Sequence, residues 1–433
     1  MPKLLLALVL LGATAAPSPL SFQLSGDVAQ SYRLLSTTHY EPVAGQTLLA
    51  AAADALSSEA HKRGVTLAPP SLKVQSDSAA TLSELDNAIV SAANAAHASP
   101  NDFAYVAIKA MAQATNDRYT QFFTPDEFRE FNEALDPKAI GGIGVMIEPD
   151  AASGQVRVSY VLPSTPAERA GVQVGDLITA VNGAATKGRG VEGVSSMLRG
   201  QTGTVVSVSL QRTGTPSVLS ITREDVQPPT VVYKLLPGNI GYVWVIAFGR
   251  ATPNEFDTAI ARLNSLGAKA LVLDLRNDGG GYVNSALDIS SRFIANKALV
   301  TVEERGRRAT TIDADGDPSI AIPVSVLVNQ YTASASEITA GALQDDGIAA
   351  LVGARTFGKG VMQMLTPLPD GAAIKITTAH YLTPNHRDIN LRGIAPDLAV
   401  EENRDAHFGE VERDAQLRAA IDLLQKKITA ERG

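Results

Sequence analysis

The sequence predicts a multidomain α/β (α+β) protein, and three observations carry that expectation. The chain has 433 residues, which at roughly 150 residues per domain allows about three domains. Of these residues 45% are apolar, enough for sizeable cores. The texture of the sequence also changes twice. Apolar residues keep helical spacing to about Asp136, and short period-two runs punctuated by glycine follow from about Ile140 to Glu224. From Gly238 onward, apolar strands alternate with helices. Composition narrows the chemistry further. Lys and Arg number 37 against 45 Asp and Glu, a formal charge of −8, so there is no uniform basic field and nucleic acid is not an expected partner. The absence of cysteine excludes disulfides, thiolate nucleophiles and cysteine-built zinc sites, and only six histidines are present. Reactive groups are therefore expected among hydroxyls, lysines and carboxylates.

Residues 1–16 have one lysine, an apolar run from Leu4 to Leu11 and then small residues ending Ala13-Thr14-Ala15. The run is shorter than the roughly 20 apolar residues that span a bilayer, so it reads as a signal peptide. An exported, periplasmic or extracytoplasmic protein is expected, membrane-associated if the segment is retained. Residues 17–136 form an N-terminal helical region, with apolar residues at helical spacing such as Leu82, Leu85 and Ile89. Two helix starts are expected at capping boxes, Thr81-x-x-Glu84 and Thr124-Pro125-x-Glu127. Between them and the earlier helices, Val65 to Ser78 is Pro- and Ser-bearing and reads as a linker. Residues 227–400 should contain buried strands at Gly241–Phe248, Ala270–Leu275 and Val324–Asn329, and a turn at Pro369-Asp370-Gly371. Residues 401–433 form an acidic segment and a terminal helix around Leu417, Ile421 and Leu424.

Residues 137–226 resemble a PDZ domain, a β-barrel-like module. The residues that carry the resemblance are Gly141-Gly142-Ile143-Gly144-Val145, the run from Ser164 to Val172, Gly175-Asp176-Leu177-Ile178 and Val181-Asn182-Gly183. The resemblance implies that the loop Gly142, Ile143, Gly144 and Val145 offers backbone N–H groups to a substrate's terminal carboxylate while the peptide adds a strand to the sheet edge. A packing module with an empty groove is the alternative.

Three later segments could carry chemistry. In Asp274-Leu275-Arg276-Asn277-Asp278-Gly279-Gly280-Gly281 a strand runs into three glycines, which permits close backbone approach and N–H donation to an oxyanion, or simply makes a tight turn. Ser334, in Thr332-Ala333-Ser334-Ala335-Ser336-Glu337, stands at a strand-to-helix junction where a hydroxyl is exposed beside free N–H groups; Ser334 to Glu337 is equally a capping box. Gly353 to Lys359 fits the start of a phosphate-binding loop, but Gly360 occupies the place of the magnesium-binding hydroxyl and strands follow, so a nucleotide site is not expected. Lys359, flanked by glycines and apolar residues, could instead be desolvated and act as a general base. Asp313-x-Asp315-Gly316-Asp317 lacks the glycine and glutamate positions of a calcium loop, and no metal site is expected. His380 and His386 lie downstream of Ser334, as a serine–histidine hydrolase would need, but neither sits in a recognisable motif.

Taken in order, these segments resemble the carboxyl-terminal processing peptidases, the tail-specific proteases with a Ser/Lys dyad and a PDZ domain. Asn116 to Phe123, the TASASEI run, GARTFGKGVMQ and Gly393 to Asp397 carry the match from about Thr81 to Leu424. The resemblance implies a crotonase/Clp-protease-like α/β catalytic core, Ser334 as nucleophile, Lys359 as its base and Gln363 as the residue orienting the lysine. It also implies oxyanion donors at the N–H of Ala335 and of a glycine in the triple run, with Gly281 favoured, and no cofactor. Its Asn277-Asp278 stands where the family often has Asn-Pro or Asn-Asn, altering the loop's charge. The implied substrates are proteins or peptides with a free C-terminus, cleaved near that end, with the PDZ domain gating activity. Assembly through the terminal helices and use of an adaptor are further expectations. An inert PDZ-containing scaffold is the alternative from another class.

Overall fold

The computed structural model describes residues 22–150, 152–316, 318–402 and 409–430; residues 1–16, read as a signal peptide, lie outside them. The chain divides into two compact units. The first comprises residues 1–130, 304–307 and 362–379, and the second comprises 131–303, 308–361 and 380–433.

Four helices, Phe22–Thr37, Gly45–Lys62, Ser78–Ala95 and Pro100–Gln113, make most of the first unit. Their apolar stripes close one core around Leu48, Leu56, Leu85, Ile89, Phe103 and Met111, all without solvent exposure. The third helix starts earlier than the sequence predicts. Asp77 caps it through Ala79 N–H at 2.9 Å, so Thr81 lies inside the first turn, where its hydroxyl accepts from Gln75 N–H at 2.8 Å. Asx capping outcompeted the threonine box because Asp77 reaches the first free N–H groups. The second predicted box does form: Glu127 Oε2 accepts from Thr124 N–H at 2.9 Å and Thr124 Oγ1 from Glu127 N–H at 3.4 Å. Strand Gln121–Phe123 pairs antiparallel with residues 373–375. The Pro369-Asp370-Gly371 turn closes with Gly371 N–H on the Leu368 carbonyl at 3.1 Å.

In the second unit, residues Val145–Asp150, Gln155–Val161, Leu177–Val181, Val205–Arg212 and Thr215–Thr222 form one antiparallel sheet in that order, so Val145–Asp150 is an edge strand. Alternate residues of this sheet, Val156, Val158, Val206, Val208 and Leu210, fill its core with Val194 and Leu198 of the helix Gly190–Leu198. The Gly175-Asp176 pair has a mechanical reason. Asp176 is buried, takes Arg212 in a two-point ion pair at 2.7 and 2.8 Å, and accepts Gln173 N–H at 2.9 Å.

A second sheet runs Val231–Leu236, Ile240–Val245, Ala270–Asp274, Val324–Val328, Ala349–Gly353 and Leu398–Ala399. All its neighbours pair in parallel except the first two. Ala270–Asp274 and Val324–Val328 are buried at every residue, as continuous apolar runs require. The terminal helix Ala415–Ala430 packs on this sheet through Leu417, Ala420, Ile421 and Leu424. Parallel strands present their carboxyl ends to the same side, and the loops 275–281, 329–334 and 354–360 all follow such ends.

Candidate active site

The nucleophile candidate sits on a strained turn. Ser334 immediately precedes the buried helix Ala335–Asp345 and adopts φ 59° and ψ −118°, a region that costs a non-glycine residue of order 1–3 kcal/mol. Packing holds it there. Phe357 N–H bonds the Thr332 carbonyl at 3.0 Å, Thr332 Oγ1 donates to the Leu275 carbonyl at 2.8 Å, and Ala333 N–H bonds the Asp278 carbonyl at 3.0 Å. The glycine run lies directly against this turn. A Cβ on Gly280, whose φ is +96°, would stand 2.8 Å from Ala335 N and 2.9 Å from Ser334 Cβ, which is why only glycine fits. Gly281 is clamped on its other side: Phe248 N–H bonds the Gly280 carbonyl at 3.1 Å, and Tyr282 N–H bonds the Phe248 carbonyl at 2.7 Å.

The N–H groups of this loop are not equivalent. Gly280 N–H is taken by Asp278 Oδ1 at 2.8 Å. Among the described residues, no protein acceptor takes Gly281 N–H or Ala335 N–H.

Glu337, read from sequence only as part of a capping box, turns out to join the two halves of the site. It is fully buried. Its Oε2 accepts Ser334 N–H at 3.0 Å and Lys359 N–H at 2.8 Å, and its Oε1 accepts Gly358 N–H at 2.8 Å and the Thr356 hydroxyl at 2.5 Å. One carboxylate therefore spans the backbones of the serine turn and the lysine loop. Burial pushes its pKa up from the ordinary glutamate value, and these four donors pull against that shift. The predicted capping box forms between Ser334 and Glu337, and Glu337 N–H also lies 2.8 Å from the Ser334 backbone carbonyl. Tyr381 is a second tie. Its buried hydroxyl lies 2.5 Å from the Lys359 carbonyl and 3.1 Å from the Ser334 carbonyl, and its N–H bonds the Gly360 carbonyl at 3.0 Å. Only its place in an apolar strand hinted at this role. Ser334 and Lys359 are both half-buried.

Gln363 belongs to the first unit, in strand Val361–Pro367, where its side-chain amide donates to Thr377 Oγ1 at 3.4 Å. Thr377 in turn donates to Asp117 at 2.5 Å. Arg276 is a scaffold residue. Its guanidinium is buried between Asp274 at 2.6 Å and Asp414 at 2.8 Å and also donates to Gln416, tying the sheet to the terminal helix.

At the edge strand Val145–Asp150, an apolar groove of about 170 Å³ is lined by Ile140, Ile143, Val145, Leu198 and Val226, with Arg199 at its wall. The predicted loop Gly142 to Val145 forms one side of it. Gly144 has φ +85°, and a Cβ there would stand 2.3 Å from Thr165 Cβ. The open edge and the adjoining helix Gly190–Leu198 are the two walls that strand addition uses.

Comparison with known proteins agrees with this architecture. Residues 239–400 match the peptidase family S41, and residues 157–212 match the PDZ domain family. A carboxyl-terminal-processing protease of Picosynechococcus sp. is 37% identical over 330 residues, covering 75% of this chain and 79% of the relative. The enzyme of the same name from Synechocystis sp. is 35% identical over 328 residues, covering 74% and 76%. A lipoprotein structure from Streptococcus agalactiae aligns with TM-score 0.52 at 11% identity, over 95% of this chain and 99% of that one, a likeness of fold. The strained serine turn, its packed glycine loop and the PDZ sheet thus stand in a chain that belongs to the carboxyl-terminal-processing proteases of peptidase family S41, the serine-type peptidases.

Proposed function

We propose that this protein is a serine endopeptidase that cleaves protein substrates near their C-termini through a Ser334–Lys359 dyad. The observation that carries the reading is the Glu337 carboxylate, which bonds the backbones of Ser334 and Lys359 at once. Neutral Lys359 takes the Ser334 proton as Oγ attacks the scissile carbonyl. The resulting oxyanion is held by the N–H groups of Ala335 and Gly281; that Gly280 N–H is already spent on Asp278 supports Gly281 as the glycine donor. The protonated lysine gives its proton to the leaving amine, and water hydrolyses the acyl-enzyme. Because a protonated lysine cannot accept the proton, the rate rises with pH on this limb.

The PDZ groove captures the substrate tail through Gly142 to Val145 and gates delivery to the dyad. Its apolar lining and open strand edge support that role. Export to the periplasm or another extracytoplasmic space follows the N-terminal pattern, and use of an adaptor is part of the same reading. Among the described residues, no helix is long and apolar enough to cross a membrane.

The test is turnover of an unstructured peptide by wild type, Ser334→Ala and Lys359→Ala. Each variant should lose at least about 1,000-fold in kcat; cleavage by either at the wild-type rate would remove the dyad. Amidating the peptide's terminal carboxylate should raise KM, and unchanged cleavage would remove carboxylate capture.

A further inference from the structure

Asp278 is the acidic residue of the glycine loop, and its surroundings are unusual for a carboxylate. Its side chain has no solvent exposure. Oδ1 accepts Gly280 N–H at 2.8 Å, whereas Oδ2 is buried without a hydrogen-bond partner. The backbone cannot swing the group into water, because the Asp278 carbonyl accepts both Ala333 N–H at 3.0 Å and the Ser336 hydroxyl at 3.1 Å. Among the described residues, no ion pair compensates it. Arg276, two residues earlier, is committed to Asp274, Asp414 and Gln416. On the helix Ala335–Asp345, Glu337 turns to the backbone of residues 358 and 359, and Ser336 is the polar group nearest the carboxyl. On the segment that clamps Gly281, Arg250 pairs with Asp136 at 3.2 Å in an exposed bridge, and Asp288 on the helix Val283–Ser291 is exposed. Lys359 contributes its backbone N–H to Glu337 rather than to Asp278.

A buried anion with an unpartnered oxygen is far costlier than the neutral acid with the same contact. It also lies one hydrogen bond from the loop that faces Ser334, where a peptide carbonyl would acquire negative charge.

The geometry points to Asp278 as a positioning residue that supports catalysis as the neutral acid: protonated, its carboxyl holds the Gly280 turn beside Ser334, and on losing its proton to solvent it opposes the developing oxyanion. This rests on the peptidase reading above. Burial pushes the Asp278 carboxyl up to about 7, with the Gly280 N–H and Ser336 hydroxyl pulling the other way. Combined with a lysine base, which needs high pH, the rate should therefore rise and then fall with increasing pH.

The test is Asp278→Asn, an isosteric replacement that cannot ionise, compared with wild type from pH 6 to pH 9. At pH 6 the two should cleave an unstructured peptide within about twofold of each other. At pH 8, where only about a tenth of wild type would keep the neutral acid, the variant should be about tenfold faster in kcat. Parallel profiles would overturn the proposal. A second readout does not need turnover. A carboxyl whose pKa is raised on folding contributes stability below its unfolded value, and that stability is lost as pH rises toward the folded value. The melting temperature of the variant should therefore gain on wild type between pH 5 and pH 8. If neither protein cleaves peptide, the peptidase reading fails and the melting comparison alone decides: a widening gap upholds the neutral buried acid, and a constant gap overturns it.

Discussion

One buried carboxylate bonds the backbones of both residues of the proposed dyad. Glu337 faces four donors and no cation among its hydrogen-bond partners, so each of its oxygens must remain an acceptor. Glu337→Gln would turn one oxygen into an NH₂ group aimed at N–H or O–H donors and leave those donors unsatisfied. The expected cost is about 2–3 kcal/mol in unfolding free energy, read as a lower urea midpoint. Because the contacts position Ser334 and Lys359 rather than touch substrate, kcat should fall by at least about tenfold with KM little changed. A variant with wild-type kcat would show that the serine and lysine loops hold their places without it. Ser334 and Lys359 could be proposed from sequence because their motifs stand in family order. Glu337 was hidden by its own success as a helix signal: S-x-x-E reads as a cap, and only the fold reveals that the carboxylate also reaches residues 358 and 359. Tyr381 was hidden for a similar reason, since a buried tyrosine in a strand reads as core.

At the scale of elements, helices and strands were mostly readable because their periods are local, while the links between distant segments were not. The motif Asn116-Asp117 could be recognised, yet nothing in its spacing shows that His39, from the first helix's exit, lies against it. The His39–Asp117 contact is 3.6 Å, an ion-pair distance, with His39 almost fully buried. Burial alone would lower the histidine's pKa, but Asp117 and the Glu41 carbonyl raise it overall. Burial would likewise raise Asp117, but His39, the Thr377 and Thr120 hydroxyls and Tyr119 N–H hold it well below the usual carboxylate range. The signs then fix a window. Asp117 contributes stability above its unfolded pKa near 3.8 and loses it as pH falls, whereas His39 contributes below its unfolded value of 6.5 and loses it as pH rises through its raised folded value. His39→Asn should therefore destabilise the protein by about 3 kcal/mol near pH 6, with the difference in urea midpoint shrinking by pH 9. A difference independent of pH would leave the histidine with a packing role alone. In the PDZ sheet the comparable test is Gly144→Ala. Its left-handed φ and the Thr165 side chain in the way of a Cβ should cost about 1–3 kcal/mol. Tail-peptide binding to a Ser334→Ala background should weaken with it, as calorimetry can measure; unchanged affinity would place the tail elsewhere.

For the whole molecule, the terminal helix changes meaning between sequence and structure. From the sequence, the helix around Leu417, Ile421 and Leu424 is one of the terminal helices through which the family resemblance implies assembly. In the fold that stripe is spent internally, on Tyr242, Val272, Leu327 and Val352 of the parallel sheet, and Asp414 just before it completes the buried pairing of Arg276. Burying a leucine or isoleucine contributes roughly 2 kcal/mol, and breaking a buried ion pair costs about 3–5 kcal/mol. Three such side chains and the Arg276 pairing together amount to on the order of 10 kcal/mol, which matches the whole stability of a typical domain. Ending the chain after Glu402 should consequently leave the second unit unfolded, with loss of its cooperative melt and rapid proteolysis, whereas Asp414→Asn, which keeps the helix, should only lower the melting temperature. Gel filtration of the full chain separates this structural use from assembly, since both proteins can be compared at equal concentration. A truncated chain that stays soluble and melts cooperatively at the wild-type temperature would show that the helix is dispensable for the fold and return its apolar face to the role of an interface.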